Sequence, residues 1–196
     1  MKKIILVGLA VLGSIALTGC SFLESLMSGA DNVGDPEKQY NYAEFKALLA
    51  DRNLSFTMTK CNSVIDVDGE KTNREYTYQK ADSEHEDDGW HYSYTTKVLG
   101  EDVEMNGVRN LDIVNYIKTA DVNAALLDKK TDDLFKFYAK SDSYRITATY
   151  EDSKQKAEAE YKYGKDGLMT YSYEKNIDLE KVTSKVTTET FSYSAQ

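Results

Sequence analysis

The segment YRITATYEDSKQKAEAEYKYGKDGLMTYSY, residues 144–173, decides the fold. Apolar and polar side chains alternate along three runs of it, and a Gly-rich turn at residues 164–167 reverses the chain between the second and third runs. A period of two gives each run one apolar face, which is typical of half-buried strands in an antiparallel sheet. The residues on that face are Tyr144, Ile146, Ala148 and Tyr150, then Ala157, Ala159, Tyr161 and Tyr163, and finally Met169, Tyr171 and Tyr173.

The same alternation continues upstream of this segment. It covers residues 54–58, 76–78 and 90–98, so these stretches also predict strands. Asp68-Gly69 predicts a tight hairpin turn between two of them, and the acidic stretch from Asp82 to Gly89 predicts a longer connection.

The alternation changes phase near the C-terminal end. Val182 and Val186 occupy even positions, whereas Phe191 and Tyr193 occupy odd ones. A strand with a period of two cannot bury both pairs without an extra residue. We therefore expect a β-bulge near residues 188–190.

Helical spacing interrupts the strands in two places. Tyr42, Phe45, Leu48 and Leu49 predict a helix from Pro36 to about Asp51, with Asp35 as its N-cap. Between Leu111 and Lys140 the apolar spacing predicts three short helices. Thr131 caps the third, which carries Leu134, Phe137 and Tyr138 on one face.

These patterns predict one α+β domain over residues 36–196. We expect a single curved antiparallel sheet of about seven or eight strands, partly covered by the N-terminal helix and the short central helical segment. The order of elements resembles the half-barrel of secreted lipoprotein carriers, in which helices fill the concave face of one sheet. It also resembles the tandem helix-plus-four-strand module of some secreted inhibitors.

The N-terminus has the layout of a secretory signal peptide. Met1-Lys2-Lys3 precedes an apolar run from Ile4 to Leu17, which is too short to cross a hydrocarbon core of ~30 Å. The run ends in Leu17-Thr18-Gly19-Cys20, which resembles the lipobox of bacterial lipoproteins. The resemblance implies a signal peptide over 1–19, lipid on Cys20, a flexible tether over 20–35, and an extracytoplasmic protein anchored to the cell membrane. The alternatives are an ordinary signal peptide with an incidental cysteine, or a retained anchor helix.

Composition argues against catalysis and against nucleic-acid binding. The chain has two histidines, two cysteines and a net charge of −9, which repels phosphate backbones. No hydrolase, metalloprotease or phosphate-loop motif occurs. The stretch from Asp82 to His91 is the densest set of oxygen and imidazole ligands, but it fits no known ligand spacing, so we interpret it as a solvated hairpin. Cys61 is interpreted as a structural cysteine, and we expect no metal and no cofactor.

Paired tyrosines are the remaining signal. The pattern Tyr-x-Tyr occurs at 76/78, 92/94, 161/163 and 171/173, always with strand spacing. Such rings can line a groove for a ligand, or they can be ordinary strand residues packed against helices. The candidate ligand-lining residues are Trp90, Tyr92, Tyr94, Tyr161, Tyr163, Tyr171 and Tyr173.

Two functions without catalysis fit this pattern. The first is binding of an amphiphilic or apolar ligand in a cavity on the inner face of the curved sheet. The alternative is a surface interaction or inhibitory protein that binds another protein through its sheet face. A metal-dependent enzyme is the least favoured class, because the chain offers so few ligands of the required kinds.

Overall fold

The structure is a computed structural model that describes residues 36–52, 54, 60–79, 90–98 and 101–194. The predicted signal peptide, Cys20 and the tether lie outside these residues, as does the acidic connection from Asp82 to Gly89. The elements, in chain order, are β1 (Lys38–Tyr40), α1 (Tyr42–Ala50), β2 (Lys60–Val67), β3 (Glu70–Gln79), β4 (Trp90–Val98), β5 (Glu101–Arg109), α2 (Ile113–Leu126), α3 (Thr131–Leu134), β6 (Phe135–Lys140), β7 (Ser143–Glu151), β8 (Gln155–Gly164), β9 (Met169–Asp178) and β10 (Thr183–Ser194).

All ten strands form one open antiparallel sheet, in the order β1-β6-β7-β8-β9-β10-β2-β3-β4-β5. The predicted class, an α+β protein with a single antiparallel sheet, is confirmed. The strand count is higher than the seven or eight expected because β1 and β6 lie in segments that the sequence predicts as helical. In the middle of the sheet β2 pairs with β10, with Lys60 opposite Ser194 and Val67 opposite Thr187.

The first helix begins later than predicted. Instead of starting at Pro36, α1 starts after Asn41, whose side chain accepts a hydrogen bond from the Glu44 backbone N–H at 2.9 Å. The Glu44 carboxylate in turn accepts from the Asn41 N–H at 3.2 Å, which completes a capping box. The preceding residues are extended because β1 pairs with β6, with Tyr40 opposite Phe137.

The central segment also differs from the prediction. The first two of the three predicted helices are one continuous helix, α2, and the third ends after a single turn at Leu134. The chain then continues as β6, in which Phe135, Phe137 and Ala139 are buried and alternate with the exposed Lys136 and Lys140. The strand forms because β6 pairs with β1 on one side and β7 on the other, and the local helical spacing does not outweigh these ladders.

The turn predictions are confirmed where the structure describes them. Asp68 and Gly69 have φ angles of 51° and 93°, as a two-residue hairpin turn requires, and they connect β2 to β3. Residues 164–167 connect β8 to β9, with the Gly164 N–H donating to the Leu168 carbonyl at 2.9 Å.

Helices α1 and α2 pack on the same face of the sheet, which we define as the inner face. Phe45 of α1 contacts Phe137 and Tyr144, with ring centroids 5.1 and 6.1 Å apart. Tyr116 of α2 contacts Tyr161 at 4.6 Å. The opposite surface is the outer face. The core therefore lies between the two helices and the inner face of β6–β8, and it continues along that face through β9, β10 and β2 to β3.

The β2–β5 part of the sheet curls over the inner face. Arg109, at the end of β5, donates two hydrogen bonds to the Glu189 carboxylate on β10. Its guanidinium also lies over the rings of Tyr76 and Phe191, at 5.9 and 5.0 Å. In the sheet, β5 is four strands away from β10, which is about 19 Å in a flat sheet and farther than an arginine reaches. The predicted curvature therefore brings β5 back toward the centre.

Candidate functional site

Tyr161 and Tyr163 belong to the core. Their exposed fractions are 3% and 1%, and both rings contact Tyr116 of α2. Burial raises the pKa of both phenols above the ordinary value of 10.0. The Tyr161 hydroxyl donates to Glu174 Oε1 at 3.0 Å. These two rings fill the space beneath α2, so they form part of the helix–sheet contact.

Tyr171 and Tyr173 lie on the outer face, opposite to the prediction. In the β8–β9 ladder Tyr163 is opposite Met169 but Lys162 is opposite Tyr171, so Thr170 is an extra residue. Side chains in a strand alternate between the two faces with a period of two. Each residue of β9 after this bulge therefore points to the face opposite to the one that an unbroken alternation from Met169 would give. Both rings are half-buried, and the Lys162 ammonium lies 4.9 Å from the Tyr171 ring centroid.

The prediction of a bulge near residues 188–190 of β10 is wrong. The extra residue lies in β9 instead. β10 keeps a continuous register with both of its neighbours over the described pairs. Phe191 and Tyr193 face inward as expected, and Glu189, not Val186, takes the next inward position toward the N-terminus. No extra residue is needed in β10, because its inward set contains a charged side chain paired with Arg109.

The remaining candidates lie in the curled part of the sheet. Tyr94 is half-buried on the inner face, with its ring edge-on to Tyr76 at 5.5 Å and the Arg74 guanidinium 4.8 Å from its centroid. Trp90 and Tyr92 belong to β4, where Tyr92 pairs with Gly107, but their side chains lie outside the described set. The seven predicted residues thus do not share one face.

A groove of about 530 Å³ crosses three strands near Tyr171. One rim is the row Ser192, Asn62 and Glu75, and the other is the row Thr190, Val64 and Asn73; each row joins β10, β2 and β3. The backbone of the intervening row, Phe191, Ser63 and Arg74, forms the floor, since their side chains point to the inner face. The groove is therefore on the outer face.

Tyr171 lies next to this groove, on the neighbouring strand β9. It is directly opposite Thr190 in the β9–β10 ladder, so its ring continues the second rim onto β9. Val64 is 40% exposed in the middle of that rim. The Lys60–Glu75 ion pair stands at the end farther from β9. We define the outer-face groove as these two rims together with Tyr171; its side chains between the ends are amides, hydroxyls and one valine.

A cluster of buried charge on the inner face was missed by the sequence analysis. Glu189 is 3% exposed and is held by Arg109, and Glu174 lies on the neighbouring strand with Tyr161 as its hydrogen-bond donor. The odd parity of Glu189, shared with Phe191 and Tyr193, was a signal that could have located it.

Cys61 is fully buried on the inner face of β2. Its thiol lies beside the Tyr193 hydroxyl, and burial together with this neighbour raises the pKa of Tyr193. Three buried hydroxyls have no hydrogen-bond partner among the described residues, namely those of Ser63, Tyr144 and Tyr163.

The described part of the chain contains no group of three or more His, Cys, Asp or Glu side chains placed to hold a metal ion. None of its helices has the length and apolar character to cross a membrane. The chain matches no family model, no curated protein and no solved structure.

Proposed function

We propose that this chain is a lipid-anchored, extracytoplasmic binding protein without catalytic activity, which holds an extended segment of a protein partner in the outer-face groove. The observation that carries the proposal is the groove itself, which crosses β10, β2 and β3, with the half-buried Tyr171 opposite its rim residue Thr190 on the next strand. Its volume lies within the ~300–1,000 Å³ typical of ligand sites.

The chemistry of the groove suits a peptide. Asn62 and Asn73 each offer a donor and an acceptor, as an amide does, and Thr190 and Ser192 add hydroxyls. An extended peptide presents alternating N–H and C=O groups that such side chains can match. Tyr171 supplies a large contact surface with little rotamer entropy to lose. Because the groove runs across the strands, a bound segment would cross the sheet rather than extend it as another strand.

Carriage of an amphiphile in an inner cavity has less support. That function needs Tyr161 and Tyr163 to line open space, whereas both rings pack against Tyr116. Of the two Tyr-x-Tyr pairs whose side chains the structure describes in full, 161/163 is buried and 171/173, on the outer face, remains partly accessible.

Photo-crosslinking of the mature, lipidated chain on its source cells tests the binding face. We expect a photoreactive residue at Val64 to give a crosslinked product with a protein, and the same residue at Val122, exposed on α2, to give none. Tyr171→Ser should reduce the yield at Val64 by roughly thirtyfold, since truncating a tyrosine that anchors an interface costs about 2 kcal/mol and each ~1.4 kcal/mol is a factor of ten.

An unchanged melting temperature of Tyr171→Ser must accompany that loss. Equal crosslinking at Val64 and Val122, or a yield at Val64 that does not respond to Tyr171→Ser in a folded protein, would reject the outer-face groove as the binding site.

The anchor has a separate test. If Cys20 carries two acyl chains, burial of about 0.8 kcal/mol per CH₂ makes release from the membrane very slow. Cys20→Ala should therefore appear as unprocessed precursor or as protein shed without lipid, and mass spectrometry of the wild-type N-terminal peptide should find Cys20 acylated. An unmodified Cys20 in the mature protein would contradict the lipid anchor. That result would have no bearing on the proposal that the groove binds a partner.

A further inference from the structure

The second rim of the outer-face groove continues beyond β10 as one cross-strand row. Thr190 of β10 is opposite Tyr171 of β9, and Tyr171 is opposite Lys162 of β8. Lys162 is in turn opposite Arg145 of β7. The first rim has no such continuation among the described pairs, because the β9–β10 ladder ends at Thr190 and does not include Ser192. A segment that leaves the groove at β10 therefore passes over Tyr171 and meets the side chain of Lys162.

The Lys162 ammonium is available to such a segment. It lies 4.9 Å from the centroid of the Tyr171 ring, and its side chain is 49% exposed. The carboxylate oxygen closest to it within the described part of the chain is Glu160 Oε2, at 3.5 Å, which is long for a hydrogen bond. Since an ammonium has three N–H donors, Lys162 can donate to a bound group without giving up a strong contact.

The next cation of the row, Arg145, is already engaged. Its guanidinium donates two hydrogen bonds to Glu37 and lies 3.9 Å from the centroid of the Tyr138 ring. Its Nη1 is also 3.6 Å from Glu160 Oε1, so Glu160 keeps a cationic neighbour when the Lys162 ammonium turns to another group. Of these two cations, Lys162 is therefore the one that can bind a partner.

We propose that Lys162 determines which protein segment the outer-face groove accepts, by pairing with an aspartate or glutamate of that segment. The inference rests on the binding function proposed above and names the chemistry of the partner. An ammonium beside the groove attracts a carboxylate, whereas the net charge of −9 repels an acidic segment from the chain as a whole. Complementary charge of this kind fixes the register of a bound segment and excludes wrong partners.

The spacing of the strands sets the position of the carboxylate in the segment. Val64 lies on β2 and Lys162 on β8, three strands away in the sheet order, which corresponds to about 14 Å. The Lys162 ammonium reaches back over Tyr171 on β9, which shortens the distance toward ~10 Å. An extended chain advances about 3.3 Å per residue, so we expect the acidic residue three or four positions from the residue that contacts Val64.

Crosslinking from a photoreactive residue at Val64 of the lipidated chain, on source cells, tests the role of the charge. Lys162→Met keeps most of the apolar stem over Tyr171 and should lower the yield about fivefold, as loss of a solvent-exposed ion pair allows. Lys162→Arg should retain the yield. Lys175→Met, on the outer face of β9 but outside the row, should behave as the wild type. Raising the salt from ~50 to ~300 mM should lower the wild-type yield and leave that of Lys162→Met unchanged.

Mass spectrometry of the peptide crosslinked at Val64 provides the second readout, and it should find an aspartate or glutamate three or four residues from the crosslinked one. A peptide without an acidic residue in that range, or a yield that responds to Tyr171→Ser but neither to Lys162→Met nor to salt, would reject the role of Lys162 and leave the groove as the binding site. Equal losses in Lys162→Arg and Lys162→Met would also reject it, because the charge would then not matter. The absence of any product at Val64 would reject the binding function and this inference together.

Discussion

Arg109→Ala is expected to lower the free energy of unfolding by about 3–5 kcal/mol, because it leaves the Glu189 carboxylate buried without its guanidinium. A typical domain has only about 5–15 kcal/mol in total, so this variant should be close to unfolding. Loss of the guanidinium over Tyr76 and Phe191 adds to the effect. Urea denaturation followed by tyrosine fluorescence measures it.

Arg145 provides a matched control for this prediction. Arg145 also donates two hydrogen bonds to a glutamate, Glu37, but both partners are partly exposed. Since a pair in contact with solvent contributes about 0–1 kcal/mol, Arg145→Ala should cost far less than Arg109→Ala. Replacing Arg109 and Glu189 together by methionine should recover most of the lost stability. Equal costs for the two single arginine variants would show that Arg109 does not close the curled sheet.

Phe137→Ala is expected to cost about 3–5 kcal/mol, whereas Tyr138→Ala should cost about 1 kcal/mol. Phe137 is 0% exposed and its ring contacts those of Phe45, Tyr42 and Phe135. Tyr138 is its neighbour in β6, but it faces outward, with the Arg145 guanidinium 3.9 Å from its ring centroid. Chemical denaturation of the two variants gives the comparison.

This pair of variants also distinguishes the strand from the helix that the sequence predicts. On a helix, Phe137 and Tyr138 share the buried face with Leu134, so both truncations would be costly. In a strand they lie on opposite faces. Similar large losses for both variants would contradict β6 and favour the helical interpretation.

The strands that could be predicted are those in which apolar and polar residues alternate clearly along the strand itself. Tyr144, Ile146 and Ala148 alternate in a run long enough to exclude a helix, and Asp68-Gly69 needs only local backbone chemistry. The segment from Leu134 to Lys140 could not be assigned in this way. Its apolar residues fit the spacing of a helix as well as that of a strand, and the pairing with β1 and β7 stabilises the strand.

The face of a strand was harder to predict than its existence. Met169, Tyr171 and Tyr173 alternate without a break, so nothing local marks Thr170 as an extra residue. The register of β9 is set by its neighbours β8 and β10, and one inserted residue moved two of the seven candidate tyrosine and tryptophan positions to the other face. The outer-face groove could not be predicted either, because its rims join β2 and β3 to β10, which is far from them in sequence.

The central pairing of β2 with β10 also sets the order in which the molecule can be built. Among the strands that the structure describes, β2 is the first long one to be made and β10 is the last, and contacts between residues so distant in sequence are slow to form. Until β10 arrives, β2 and β9 each present an unpaired edge, which is the kind of surface that aggregates during folding. Removing the C-terminal strand therefore separates the sheet into two halves, so that a truncation at the end of the chain acts as a cut through the middle of the fold.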